Sequence, residues 1–154
     1  MAIRLSTAGV VVKYAVEVTA GTKPTTSYVV IPEIKEIPEM NPEPSTIDTT
    51  TLSEMEYKTS INGLKDLGGA LAFNVNLTEA FKAAWETLMT AYLAAKTAGK
   101  QTYFNIEIPG IAQSVFFTGN PSALGLPSMG VDAVIETSAF ITPTSAPTWA
   151  TKIV

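Results

Sequence analysis

The sequence contains no cysteine and no histidine among its 154 residues. Without cysteine there are no disulfides, thiolate nucleophiles or zinc-thiolate sites. Without histidine the usual catalytic triads and imidazole metal ligands are excluded as well. These absences remove the commonest nucleophiles and metal ligands, and our overall prediction is a protein that is not an enzyme and that holds neither a cofactor nor a metal ion.

Charge is also scarce, since only 16% of the residues are charged while 46% are hydrophobic. The formal net charge of −4 argues against a protein that grips nucleic acid, because phosphate binding uses clustered Lys and Arg. Transient passage of DNA along the protein remains compatible with it. No apolar run approaches the roughly 18 to 20 residues that cross a bilayer, so we expect that the protein does not insert into a membrane. We also expect that it is made in the cytoplasm.

Alternating apolar and polar residues predict most of the secondary structure, and the length fits one domain over residues 1–154. The period of two that is typical of strands recurs in residues 11–18, 26–31, 70–77, 101–108, 112–118 and 130–141. Proline and glycine clusters separate these segments. We predict an α+β, mainly β fold, an antiparallel β-sandwich or barrel with one flanking helix.

A helical period appears once, over residues 78–98. Thr78 or Asn76 is suited to cap its start, Lys96 lies in the last turn and Gly99 is suited to end it. Its apolar stripe consists of Leu77, Phe81, Ala84, Trp85, Leu88, Tyr92 and Ala95. We expect this stripe to pack on the sheet.

Residues 32–69 form an unusual segment for which we predict at most one short strand, around residues 53–61. A structureless connection of this length is uncommon. The segment is acidic and proline-rich but keeps many large apolar side chains: Ile34, Ile37, Met40, Ile47, Leu52, Met55, Tyr57, Ile61, Leu64 and Leu67. Contact with another copy of the chain is the favoured interpretation; a flap over its own sheet and a disordered linker are the alternatives.

The stretch "PEPSTIDTTTL" with "GLKDLGG", followed by a helix, "IEIPGIAQSVFFTG", "LGLPSMGVDAVIETSAFITPT" and a terminal "PTW", resembles the major tail tube proteins of long non-contractile bacteriophage tails. The resemblance covers nearly the whole chain. It implies a subunit that closes into hexameric rings, which stack into a hollow tube for DNA passage in the virion tail alongside other phage tail proteins. Tube proteins of other tail-derived systems share this fold.

In that family the long loop reaches the adjacent ring. The resemblance therefore implies that residues 32–69 stack on a neighbour, with Ile37, Met40, Ile47 and Leu52 buried between subunits. It further implies terminal arms over residues 1–8 and 143–154. Trp149 lies in the second arm, where an intersubunit anchor and an intrachain contact are both reasonable, since tryptophan is frequent at binding hot spots.

Four charged residues lie on the non-core side of two predicted strands: Lys13, Glu17, Asp132 and Glu136. They would either face a lumen, where negative charge repels the DNA backbone, or lie in ordinary solvent. The acidic residues Glu39, Glu43 and Asp48 do not have the spacing of a calcium loop. The rival hypothesis is a monomeric immunoglobulin-like or carbohydrate-binding decoration module of the virion, which predicts an aromatic-lined groove and no self-assembly.

Overall fold

The computed structural model describes residues 4–153 and divides them into two compact units. The larger unit, here called the body, contains residues 4–38 and 69–153. The smaller one, Glu39–Gly68, is here called the hairpin unit. Residues 1–3 of the predicted N-terminal arm and residue 154 of the predicted C-terminal arm lie outside the described residues.

The body consists of eight antiparallel strands and one helix. In chain order the elements are β1 (Val11–Val16), β2 (Val29–Ile31), β3 (Ile34–Glu36), then β4 and β5 of the hairpin unit (Pro44–Asp48 and Ser60–Lys65), β6 (Leu71–Asn76), α1 (Glu79–Thr97), β7 (Thr102–Glu107), β8 (Gln113–Pro121), β9 (Glu136–Pro143) and β10 (Thr148–Thr151). The strands pair in the order β2-β1-β7-β8-β9-β6-β3, and β10 also pairs with β8. The predicted α+β, mainly β class is confirmed.

Strand β8 joins the two halves of the sheet. Its first half pairs with β7 on one side and β10 on the other, and its last residues, Gly119 to Pro121, pair with β9. Gly119 lies at this change of partner, where an added Cβ would come within 2.8 Å of Ile141 Cγ2 and 3.1 Å of the Thr142 carbonyl oxygen. A side chain at this position would push β8 and β9 apart.

The core is built by aromatic residues from the strands and by the apolar stripe of α1. Phe104 and Phe117 face each other across β7 and β8 with ring centroids 5.4 Å apart. On the helix, Phe81, Trp85 and Leu88 are fully buried, and α1 lies against β1, β2 and β8. The predicted packing of the helix stripe is confirmed.

The helix ends follow the predicted signals. The Thr78 side chain accepts a hydrogen bond from the Phe81 backbone N–H at 3.2 Å, so that it satisfies one of the free N–H groups of the first turn. At the other end Gly99 adopts a φ of 73°, and the Lys100 N–H donates to the Ala95 carbonyl at 2.8 Å. Glycine is favoured at such a left-handed position because it has no Cβ.

Three strand predictions were wrong in their bounds. Residues 32–69 hold β3, β4 and β5, whereas the predicted strand at 53–61 lies mostly in a turn. Strand β9 begins only at Glu136, and Asp132 lies in the preceding loop with a φ of 55°. Strand β2 begins at Val29 because Ser27, with a φ of 67°, interrupts the extended backbone.

Candidate assembly surface

The hairpin unit is a two-stranded ribbon with its own register. Ile47 pairs with Ile61 and Asp48 with Ser60, and a bulge follows towards the pair Pro44 and Lys65. Gly63 lies inside this bulged region, where an added Cβ would clash with Ser45 Oγ. The strands were hard to predict because they are short and polar, and Pro44 opens the first of them.

The outer end of the ribbon, residues 49–59, is ordered by its own polar side chains. The Glu54 carboxylate accepts hydrogen bonds from the Thr51 N–H at 2.8 Å and the Thr59 hydroxyl at 3.2 Å. Thr50 Oγ1 accepts from the Thr59 N–H at 2.9 Å, and the Asp48 carboxylate accepts from the Thr50 N–H at 2.9 Å. The threonines and acids of this acidic stretch therefore serve to fix the turn.

The pKa of Asp48 is changed by the hydrogen bonds of this turn. Hydrogen bonds from the side chain and the backbone of Thr50 lower the pKa of Asp48 below its ordinary value, because they favour the charged carboxylate. Asp48 is therefore ionised at neutral pH and contributes to the negative charge of the hairpin unit.

Large apolar side chains of the hairpin unit point into solvent. Leu52 is fully exposed, Met55 is 95% exposed and Ile47 is 52% exposed. The same holds for Tyr57, Ile61 and Leu64. Complete burial of one such side chain contributes about 1.5 to 3 kcal/mol, so a partner that covers several of them gains substantial binding free energy.

The predicted contact residues occupy different environments. Ile47 and Leu52 are exposed on the hairpin unit, whereas Met40 and Ile37 are only partly exposed, the latter in the body just after β3. Trp149 lies on β10, where it pairs with Val115 of β8 and is 52% exposed. Within residues 4–153, β10 pairs with β8 alone and therefore has one free edge.

The four charged residues predicted to face a lumen do not form one set. Glu17 is buried, and its carboxylate accepts hydrogen bonds from the backbone N–H groups of Gly21 and Gln101. The prediction that Glu17 faces a lumen or solvent was therefore wrong. Lys13 pairs with Glu107 at 3.2 Å. Glu136 pairs with Lys35, and Asp132 is exposed in the loop before β9.

In the body, Lys23 and Tyr28 contact the ring of Phe116, an arrangement that was not predicted from the sequence. Lys23 Nζ lies 3.3 Å from the centroid of the Phe116 ring, and Tyr28 packs edge-on against the same ring at 6.0 Å. Burial and then the neighbouring Tyr103 raise the pKa of Tyr28 to about 12, and burial lowers the pKa of Lys23. The segment between β1 and β2 is thereby fixed to the sheet.

The described residues contain neither a metal-binding cluster nor a membrane-spanning helix. Among residues 4–153, no three His, Cys, Asp or Glu side chains converge to hold a metal ion. Within the same residues, no helix combines the length and the apolar character that a bilayer crossing requires.

Comparison with known proteins gives a likeness at the level of the fold. Neither a protein-family model nor a curated protein sequence matches the chain. Among solved structures, a chain of the anti-feeding prophage baseplate, determined by cryo-electron microscopy with six-fold symmetrisation, is similar with a TM-score of 0.69 and 9% identity. The match covers 98% of each chain. At this identity the likeness shows a shared fold.

Proposed function

We propose that the chain is a structural subunit of a bacteriophage tail tube, or of the tube of a phage-derived particle, and that it has no catalytic activity. Six copies close into a ring, and the rings stack into a hollow tube through which DNA passes. The subunit is made in the host cytoplasm and works in the virion tail with other tail proteins.

The observation that carries this proposal is the hairpin unit with its ordered turn and outward-facing apolar side chains. A disordered linker would not be expected to form the hydrogen bonds by which Glu54 and three threonines order this turn. Ile47, Leu52 and Met55 nevertheless remain exposed in the single chain. Such a concentration of exposed apolar surface on a defined scaffold is typical of a protein interaction site.

The edges of the body support lateral association. Within residues 4–153, β2 pairs only with β1 and β3 pairs only with β6, so both strands have a free edge. Val29 and Val30 on β2 are also about half exposed. Unpaired strand edges invite pairing with another chain, and a closed ring removes the free edges.

The structural likeness supports the class of assembly. The similar chain belongs to a six-fold symmetrised baseplate of the anti-feeding prophage, and nearly the whole of both chains aligns. A shared fold over the full length is compatible with a hexameric ring. The net charge of −4 agrees with a channel that DNA slides through, because it offers little overall attraction to phosphate.

The proposal is tested with the purified full chain, examined by light scattering and electron microscopy as its concentration rises. We expect hollow tubes with a regular axial repeat and six-fold end views. A species that stays at the mass of one chain, 16.3 kDa, at every concentration would contradict the proposal and favour the monomeric decoration module.

A further inference from the structure

An apolar groove lies in the body between α1 and residues 123–126. It is lined mainly by Leu77, Trp85, Met89, Leu93, Leu124 and Leu126, and its volume is about 740 Å³. The Trp85 indole N–H donates to the Ser122 carbonyl at 2.9 Å, which attaches the start of the 123–126 wall to the helix. The groove is therefore a concave surface with α1 on one side and, on the other, a wall whose start is attached to that helix.

The groove has the size and character of a binding site. Its volume falls in the range of roughly 300 to 1,000 Å³ that is usual for pockets that enclose a drug-sized ligand, so a few large side chains fit. Leu126 on its wall is 85% exposed and Leu93 on the helix is about half exposed. Its polar groups are few and lie at the rim, where Lys82 and Glu86 form a surface pair at 3.6 Å.

We propose that this groove receives the outer end of the hairpin unit of a second copy, with Leu52, Met55 and Tyr57 as the inserted side chains. This inference rests on the proposed function and names the site at which the hairpin unit docks. Three large exposed apolar side chains within six residues match a groove of this volume and composition.

Charge identifies the body, and not another hairpin unit, as the partner surface. The hairpin unit contains six acidic residues and two lysines, a formal charge of −4. The whole chain also has a charge of −4, so the rest of it is neutral. Two hairpin units that met each other would repel, whereas a hairpin unit that meets the body does not.

The groove rim adds a specific complement. Among residues 4–153, the ion pair of Lys82 is the exposed one with Glu86, and such surface pairs contribute little to stability. Glu56, next to Met55, is exposed on the incoming turn. A contact between Lys82 and Glu56 of the second copy would orient the insertion. Because the two surfaces differ, the contact is heterologous and each copy both gives and receives a hairpin unit, which lets the assembly propagate.

Directed cross-linking tests this contact, since the chain has no cysteine of its own. One chain carries Met55→Cys, a second carries Leu93→Cys, and the two are mixed, assembled and treated with a bismaleimide. We expect a cross-linked dimer from the mixture and no cross-linked dimer when either variant is treated alone. Val18→Cys, at an exposed turn position of the body, replaces Leu93→Cys as the matched control.

The outcomes separate this inference from the proposed function. Tubes in the microscope without the Met55–Leu93 dimer would overturn the groove contact and leave the tube function standing. A dimer from Met55→Cys alone would show that hairpin units meet each other, and a dimer with Val18→Cys of equal yield would show unspecific collision; both overturn the inference. A failure of the unmodified chain to assemble would count against the proposed function itself.

A complementation experiment provides a second readout that does not depend on cross-linking. Leu126→Asp blocks the groove and Leu52→Asp disables the inserted turn, so each variant alone is expected to lose axial growth. When they are mixed, intact hairpin units of the first meet intact grooves of the second, and we expect paired species of limited length. No pairing in the mixture, with both variants folded, would contradict the inference.

Discussion

The body and the hairpin unit use apolar residues in opposite ways. In the body, the large side chains of the core, such as Phe104, Phe117 and Leu88, are fully buried. In the hairpin unit, polar side chains form the internal hydrogen bonds of the turn, while Leu52 and Met55 lie outside. Apolar residues of the body stabilise its fold, whereas those of the hairpin unit are available for contact with a partner.

The difference has a physical origin in size. A ribbon of two short strands has no second layer to pack against, so it cannot enclose its own apolar side chains. Its turn is fixed instead by side chain to backbone hydrogen bonds such as those of Glu54 and Thr50. The core of the body therefore determines stability, whereas the exposed side chains of the hairpin unit contribute to association, and substitutions should separate the two effects.

The largest effect on stability is expected in the helix stripe of the body. Leu88→Ala removes a fully buried side chain and leaves a cavity, which lowers the free energy of unfolding by about 2 to 5 kcal/mol. Leu52→Ala is the matched control, because the same atoms are removed from an exposed site. Urea denaturation of the two variants measures the difference, and equal losses would contradict the contrast between the two regions.

A smaller loss is expected at the start of α1. Thr78→Ala removes the hydroxyl that accepts from the Phe81 N–H, and the loss of such a cap costs about 1 kcal/mol. Thr78→Ser keeps the acceptor and serves as the control. Thermal unfolding should show a lower midpoint for the alanine variant alone; a loss of the same size in both variants would show that the methyl group matters instead.

The body was largely predictable because its signals are local. The period of two gave most strands, and the cap at Thr78 together with Gly99 gave the helix bounds to within one residue. The burial of Glu17 was not predictable, since one of the groups that it binds is the backbone N–H of Gln101, 84 residues away. Alternation alone placed Glu17 on an outer face.

The surface features were harder to predict, because exposure depends on tertiary packing. The composition of residues 32–69 indicated apolar side chains in excess of what a loop needs, but only the structure shows that Ile47 and Leu52 are exposed while Met40 is partly covered. The groove beside α1 has no sequence signal at all. It depends on where the fold places residues 123–126 relative to Met89 and Leu93.

Alkaline pH should weaken the body and not the hairpin unit. The pKa of Tyr28 is raised from 10.0 to about 12, and those of Tyr14 and Tyr103 are also raised, so between these values the unfolded chain releases protons that the folded chain keeps. This contribution to stability is complete below pH 10 and is lost as the pH rises through about 12. Lys23, with a lowered pKa, acts in the opposite direction.

Tyr28→Phe tests the assignment of this pH dependence. The variant loses the hydrogen bond from the Tyr28 hydroxyl to the Pro24 carbonyl but no longer titrates. Its urea midpoint should therefore fall less steeply between pH 9.5 and about 12 than that of the unmodified chain. Parallel curves for the two proteins would show that another group causes the alkaline decline.

Leu52→Asp should have the smallest effect on the stability of the single chain and the largest effect on assembly. Leu52 is fully exposed, so Leu52→Asp should change the free energy of unfolding by less than about 0.5 kcal/mol. In the assembly the same carboxylate would be placed in an apolar contact, where an unpaired charge is strongly unfavourable, and sedimentation should show the loss of large species. Val131→Asp adds the same charge at an exposed position in the loop before β9, which separates the effect of net charge from that of the site. If both variants assemble as the unmodified chain does, Leu52 is not covered by a partner, and the exposed apolar side chains of the hairpin unit then need another explanation.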